Sequence, residues 1–72
     1  MPHIDVKMFP GRSEEMKTAA AEKIIEAAAE ALNAPKDVFS VSIVDIEKAS
    51  WNDKVADQVD ESTLYAGKLF KC

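Results

Sequence analysis

An alanine-rich stretch with a clear beginning and end is the feature that most constrains the fold of this chain. Ser13 is a favourable N-cap, and two glutamates follow it in the first turn, where carboxylates complement the positive end of a helix. Apolar residues then recur at helical spacing: Met16, Ala20, Ile24, Ala27 and Ala31, with the stripe widened by Ile25, Ala28 and Leu32. Asn33 favours the left-handed cap conformation, and Pro35 disfavours helix at Ala34. The pattern predicts one helix that begins after Ser13 and ends near Leu32.

Two segments typical of β-strands flank this helix. Residues 2–9 alternate between two faces, which are Ile4, Val6 and Met8 on one side and His3, Asp5, Lys7 and Phe9 on the other. Residues 38–46 are rich in β-branched side chains, with Phe39, Val41 and Ile43 on one face, Val38, Val44 and Ile46 on the other, and Ser40 and Ser42 between them. Two strands joined by one helix are expected to be parallel, with a right-handed crossover. The predicted fold class is therefore α/β, a single β-α-β domain spanning residues 1–72.

The last third of the chain has a weaker pattern. Ser50 is a possible cap for a short helix over residues 53–59. Residues 61–72 carry scattered apolar side chains around Ala66 and Gly67. We expect them to form a loop and a short extended piece that packs against a neighbouring subunit.

The small size of the chain indicates self-association. A domain of 72 residues buries only about 60% of its unfolded surface and is marginally stable alone. The single cysteine, Cys72, excludes an internal disulfide, and the single histidine, His3, disfavours a structural zinc site. The second strand has apolar residues on both faces, and one helix covers only one face. We therefore predict a homo-oligomer.

Charge and hydropathy exclude other classes of partner. The net charge of -4 disfavours nucleic-acid binding, which normally requires a basic face. No apolar run approaches the roughly 18 residues of a membrane span, and no signal peptide precedes the strand. We expect a cytoplasmic protein that binds neither nucleic acid nor membrane.

The Met1-Pro2 pair suggests a chemical function. Removal of Met1 would leave Pro2 with a free secondary amine in a rigid ring. An ordinary α-amino group titrates near pH ~8, and a dry pocket lowers that value. An amine that titrates near neutral pH suits general-base catalysis. Proline is about one residue in twenty on average, so the pair alone does not decide the function.

Several short motifs in order resemble the 4-oxalocrotonate tautomerase family. They are Pro2 behind the initiator Met, the short strand, Gly11-Arg12-Ser13 opening the helix, Leu32-Asn33-Ala34-Pro35 closing it, and the β-rich second strand. The resemblance covers roughly residues 2–51 and weakens after them. Met1-Pro2-His3-Ile4-Asp5 together with Ser50-Trp51 is most similar to the short branch of phenylpyruvate-type tautomerases. The resemblance implies a tautomerase fold completed by oligomerisation, with a dimer that has a combined four-stranded sheet, sometimes assembled into a hexamer.

The resemblance also implies a cofactor-independent and metal-free reaction. Pro2 takes the role of the amino-terminal base that moves a proton between an enol and its ketone. Arg12 falls on the arginine that binds a substrate carboxylate, and its planar fork suits that group. Trp51 falls on the aromatic residue that lines the pocket. From the residues alone, Arg12 is better explained as a solvated loop charge, and the only Trp of a small domain is usually a core residue, a role compatible with lining the pocket.

One position departs from the family pattern. Ser40 stands where the 4-oxalocrotonate enzymes have a second arginine that polarises the substrate carbonyl, so a diacid substrate is in doubt. A small-molecule monocarboxylate such as an enolpyruvate fits better, with Arg12 on the carboxylate and with Trp51 and Phe39 on an apolar tail. Ser40 can donate one hydrogen bond, and His3 and Lys7 are further polar candidates for the pocket or plain solvent-side residues. The alternative function is a non-enzymatic oligomeric scaffold or binding module that keeps the fold.

Overall fold

Two parallel strands and a crossover helix form the centre of the computed structural model, which describes residues 1–72. The elements are β1 (His3–Met8), α1 (Glu14–Leu32) and β2 (Ser40–Asp45). The strands are in register from His3 opposite Ser40 to Met8 opposite Asp45. The predicted β-α-β order and the parallel pairing are confirmed. The second strand is shorter than predicted because residues 36–38 form a 3₁₀ turn before it.

Helix α1 begins and ends where its caps predict. The Ser13 hydroxyl accepts a hydrogen bond from the Met16 amide at 3.2 Å. Asn33 has φ of 52° and ψ of 52°, and its amide bonds to the carbonyls of Ala29 and Glu30. The left-handed conformation that asparagine tolerates thus closes the helix, so that the chain can return to the start of β2.

The helix covers one face of the sheet. The Lys17 ammonium of α1 pairs with the Asp45 carboxylate of β2 at 2.9 Å. Strand alternation places Val41 and Ile43 on the same face as Asp45, and Phe39 continues that face at only 8% exposure. Phe39 is therefore part of the apolar layer between helix and sheet.

The chain itself covers part of the opposite face. A short helix, α2 (Trp51–Lys54), lies between 3₁₀ turns at Lys48–Ser50 and Ala56–Gln58. A core cluster forms there from Ile46, Trp51, Val55 and Ala56, with Phe9 and Leu69 packed against it. The predicted short helix at 53–59 is wrong in its bounds, and Ser50 makes no side-chain cap bond. At this end of the sheet, residues that follow the β-α-β unit cover the second face, and cover of the rest by a partner subunit stays a prediction.

The C-terminal tail packs on its own chain. The Trp51 indole N–H donates to the Phe70 carbonyl at 2.8 Å. The Asn52 side chain donates to the Cys72 carbonyl at 3.1 Å and accepts from the Cys72 amide at 2.9 Å. This end of the tail is therefore held by its own chain, and packing of residues 61–72 against a neighbouring subunit stays a prediction. Tail carbonyls and amides find partners within the chain because α2 presents an indole and an amide side chain to them.

The chain leaves a large surface exposed. Only 6 of the 72 residues are buried, and the accessible surface is 5592 Å². A compact monomer of this mass is expected to expose about 4,400 Å². The radius of gyration is 13.4 Å, against about 11 Å expected for a compact domain of this length. None of the helices is long and apolar enough to cross a bilayer.

Candidate active site

A cavity of about 300 Å³ opens at the carboxyl end of the sheet. Its lining consists of Lys7, Met8, Phe9, Arg12, Trp51 and Phe70. Strand β1 contributes Lys7 and Met8, the segment after β1 contributes Phe9 and Arg12, and α2 and the tail contribute Trp51 and Phe70. The cavity therefore combines an apolar wall with two cationic side chains.

The turn after β1 places Arg12 at the cavity. Gly11 has φ of 126°, a conformation that other residues rarely adopt, so the chain reverses within the Pro10-Gly11 pair. The Arg12 side chain is exposed and forms no ion pair with any carboxylate. Lys7, in contrast, pairs with Asp5. Arg12 is thus the cation of this cavity that remains free to bind an anion.

Three aromatic rings form the apolar wall. Phe9 and Trp51 meet edge to face, with ring centroids 5.0 Å apart and planes at 82°. Phe70 meets Phe9 at 5.8 Å and Trp51 at 6.4 Å, again edge to face. Such arrangements are the favourable ones for aromatic quadrupoles. Trp51 is only 9% exposed, so it is both a core residue and part of the wall.

Sequence analysis did not assign Phe9 and Phe70 to this site. Phe9 carried a weak signal, because it ends the alternation of β1 just before the loop that contains Arg12. Phe70 carried none, because nothing in the tail sequence indicates that residue 70 returns to the end of β1. In the structure, Phe9 packs against the core cluster, and the Phe70 ring meets the rings of Phe9 and Trp51.

Pro2 lies at the opposite end of the sheet. It precedes the first residue of β1, and its carbonyl accepts a hydrogen bond from the Ser40 amide at 3.2 Å. Its nitrogen is in a peptide bond to Met1, which is 97% exposed. From Pro2 to Phe9 the chain advances seven residues along β1, or about 23 Å. One chain therefore does not bring Pro2, Ser40 and Phe39 together with Arg12 and Trp51.

Polar side chains form a hydrogen-bonded row on the open face of the sheet. His3 Nδ1 lies 2.6 Å from the Ser40 hydroxyl, and His3 Nε2 lies 3.1 Å from the Ser42 hydroxyl. Ser42 in turn donates to Asp5 Oδ1 at 2.7 Å, and Lys7 binds the other oxygen of that carboxylate. The hydrogen bond from Lys7, and next that from Ser42, hold the pKa of Asp5 below its ordinary value. His3 and Lys7 thus lie on one face, and of the two only Lys7 borders the cavity.

Comparison with known proteins identifies the family. Residues 2–54 match the family model described as tautomerase enzyme. The chain belongs to the tautomerase family. It is 36% identical to Tautomerase PptA of Klebsiella pneumoniae, over 82% of this chain and 85% of that one. It is 43% identical to 2-hydroxymuconate tautomerase of Comamonas testosteroni, over 71% and 81% of the two chains.

A solved structure places it in the 4-oxalocrotonate tautomerase group. A 4-oxalocrotonate tautomerase isozyme from Methylibium petroleiphilum superposes with a TM-score of 0.65 at 40% identity, covering 69% of this chain and 81% of that one. The chain is therefore an isomerase with the β-α-β tautomerase fold, as the sequence resemblance implied. The family match ends at residue 54, so the tail that carries Phe70 lies beyond it.

Proposed function

We propose that this chain is a cofactor-independent tautomerase that converts an enolpyruvate-type acid into its ketone, with Pro2 as the proton carrier after removal of Met1. The observation that carries the proposal is the unpaired Arg12 guanidinium beside an aromatic wall, in a chain whose family-matched region begins at Pro2. The high exposure of Met1 supports access of an aminopeptidase to the first peptide bond.

The reaction needs one base and one anion site. The neutral Pro2 amine takes the proton of the enol hydroxyl and leaves an enolate, whose carbon–oxygen double bond forms as its carbon is protonated. The electrons of the carbon–carbon double bond then accept that proton from the Pro2 ammonium at the neighbouring carbon. Arg12 holds the substrate carboxylate through two parallel hydrogen bonds and so fixes which carbon faces the amine.

The position of Pro2 requires that a second copy complete the site. Because Pro2 and Arg12 of one chain are at opposite ends of β1, the amine of one subunit works with the guanidinium of another. The excess exposed surface and the few buried residues support association. We expect a homodimer as the unit, with assembly into a hexamer as the larger alternative.

The charge of the cavity favours a monocarboxylate. Arg12 balances one carboxylate, Lys7 is already paired with Asp5, and Ser40 offers only a hydroxyl at the position that resembles the second arginine of the 4-oxalocrotonate enzymes. Burial of a second carboxylate without a partner is costly. The aromatic wall at Trp51 suits an apolar tail on the substrate. Phe39 is buried at the other end of the sheet, so it can adjoin the substrate tail only if it comes from the second copy.

The direct test is an assay of enol-to-ketone conversion with purified protein. Intact mass first establishes that Met1 is absent. The processed protein should then accelerate ketonisation of the enol of phenylpyruvate without added metal or cofactor. The kcat/KM should fall on the acidic side as the amine becomes protonated, with a midpoint below about pH 8 if aromatic side chains exclude water from it. A processed, folded protein with no acceleration over buffer would contradict the proposal and favour the scaffold function.

A further inference from the structure

The tail beyond the family match contributes a wall to the cavity that holds Arg12. Residues 55–72 lie outside the matched region, yet Phe70 lines the cavity together with the family-matched Phe9 and Trp51. The tail therefore adds a residue from outside the family-matched region to the site that the matched region forms.

Several contacts fasten this end of the tail on both sides of Phe70. On the Phe70 backbone itself, the carbonyl accepts from the Trp51 indole at 2.8 Å. After it, the Cys72 backbone makes two hydrogen bonds with the Asn52 side chain, and Lys71 pairs with Asp57 at 3.2 Å. Before it, Leu69 packs against the core cluster. The position of residue 70 is thus fixed mainly by contacts of its backbone and of its neighbours.

The Phe70 side chain is left free to contact a ligand. The side chain is exposed, with 56% of the residue accessible, although the backbone around it is anchored. Its ring touches the other two rings edge to face and borders the cavity that Arg12 also borders. An exposed aromatic ring beside a cation that lacks a partner matches the two ends of an aromatic monocarboxylate.

We propose that Phe70 is a specificity-determining residue that favours an aromatic tail on the enol acid over a second carboxylate. This proposal rests on the proposed function, because it concerns the substrate of the same site. A substrate ring adds a further edge-to-face or offset contact to the wall. A second carboxylate would instead lose water against three rings with no cation left to pair with it.

The test compares Phe70→Ala with Tyr65→Ala as a matched control. Tyr65 is an aromatic residue of the same tail, is 97% exposed and does not line the cavity. The two substrates are the enol of phenylpyruvate and the dienol diacid 2-hydroxymuconate. For Phe70→Ala we expect kcat/KM with the aromatic enol to fall roughly 10-fold, chiefly through KM, while kcat/KM with the diacid changes less than about 2-fold. For Tyr65→Ala we expect no change in either.

A second variant distinguishes contact between Phe70 and the substrate from a purely structural role of Phe70. Phe70→Leu keeps apolar bulk beside Phe9 and Trp51 but removes the ring, so it should lower selectivity for the aromatic substrate while the far-ultraviolet circular dichroism of the fold stays unchanged. An equal loss with both substrates in Phe70→Ala and Phe70→Leu would overturn the proposal and make Phe70 a structural anchor only. Unchanged selectivity in both variants would overturn it as well.

A binding experiment tests the role of Phe70 separately from the proposed tautomerase activity. The chain with Met1 in place is titrated with 3-phenylpropionate, which has an aromatic ring and one carboxylate and does not react, and Trp51 fluorescence reports binding. Weaker binding in Phe70→Ala but not in Tyr65→Ala supports the role of Phe70 even if no variant turns over any enol. Tautomerase activity together with 3-phenylpropionate binding that does not depend on residue 70 would leave the proposed function intact and overturn the role of Phe70.

Discussion

The two ends of the sheet differ in how much of a site a single chain completes. At the carboxyl end, Phe9, Arg12 and Trp51 already enclose a cavity with a free cation. At the amino end, Pro2 and Ser40 share a backbone hydrogen bond, but none of the four cavities is lined by either residue. Because β1 and β2 are parallel, everything that follows the strands collects at one end and everything that precedes them at the other. Under the proposed function, folding of one chain builds the carboxylate-binding half of the site, and association with a second copy adds the Pro2 amine.

The two ends also differ in what holds them. The carboxyl end is fixed by buried rings and aliphatic side chains, whose burial is the main source of folding stability. The open face near the amino end is held by a row of directional hydrogen bonds through His3, Ser42 and Asp5, all close to solvent. Exposed hydrogen bonds contribute little net stability but fix the direction of donors and acceptors. We expect substitutions at the carboxyl end to change binding and stability, and loss of the Pro2 amine at the amino end to change chemistry.

Retention of Met1 should produce the largest effect. A chain kept with Met1 in place should fold normally, because Met1 is exposed and contacts no core residue, yet its Pro2 nitrogen remains an amide without basicity. Loss of a general base typically lowers the rate by about 100- to 10,000-fold. The measurement is kcat/KM for an enolpyruvate with processed and unprocessed protein at matched concentration. Pro2→Ala keeps a free primary amine and should retain part of the activity. Equal rates for processed and unprocessed protein would eliminate the amino-terminal base.

Substitution of Arg12 should produce the next largest effect. Arg12→Ala removes a charge-assisted bond to the substrate carboxylate, which typically costs about 1.5–3 kcal/mol, or roughly 10- to 150-fold in kcat/KM, mainly through KM. Arg12→Lys keeps the charge without the planar fork, so its kcat/KM should lie between those of wild type and Arg12→Ala. Lys54→Ala, another exposed cation that makes no ion pair, serves as the control and should leave kinetics unchanged. Unchanged kinetics in Arg12→Ala would make Arg12 a surface charge.

A mixing experiment tests whether the two ends come from different copies. Unprocessed wild type lacks the Pro2 amine, and processed Arg12→Ala lacks the anion site, so each is impaired alone. After the two are mixed one to one and refolded together, about a quarter of the sites should combine an intact Pro2 with an intact Arg12 if each site uses two copies. Activity equal to the average of the two unmixed proteins would show that one chain supplies both residues. Sedimentation of the same samples at micromolar concentration reports whether the protein self-associates, and a folded monomer would contradict the composite site.

The sequence predicted the elements that local chemistry determines and missed those that tertiary contacts determine. The ends of α1 were predictable because Ser13 and Asn33 are caps whose preferences do not depend on the rest of the chain. Placing Arg12 with Trp51 required the family resemblance, because the two are far apart in sequence. The position of Phe70 was not predictable, because the partners of the tail are one indole and one amide that carry no pattern. The sequence also predicts that Phe39 and Trp51 both contact the apolar part of the substrate. Within one chain, however, the parallel topology places Phe39 before β2 and Trp51 after it, at opposite ends of the sheet.

Substitution of Asp5, in the row of polar residues on the open face, should produce the smallest effect. The effect should appear as a change in how the thermal unfolding midpoint depends on pH. The pKa of Asp5 is lowered by hydrogen bonds from Lys7 and Ser42, so its carboxylate stabilises the folded state at pH values above the ordinary value of 3.8. That contribution should be lost as the pH falls below 3.8 through the folded-state value. The midpoint of thermal unfolding of wild type should therefore exceed that of Asp5→Asn near neutral pH, and the two should converge in acid.

The controls follow from the exposure of Asp5. Because the group is at the surface, added salt should shrink the difference between wild type and Asp5→Asn at neutral pH. Asp53→Asn removes an exposed carboxylate that accepts no side-chain hydrogen bond and forms no ion pair, so its unfolding midpoint should track wild type across the same pH range. A constant gap between wild type and Asp5→Asn from neutral pH down to acid would mean that Asp5 acts through packing and not through its charge. In that case the hydrogen bonds from His3 to Lys7 do not stabilise the charged form of Asp5. The amino end of the sheet would then differ from the carboxyl end in chemistry only through Pro2.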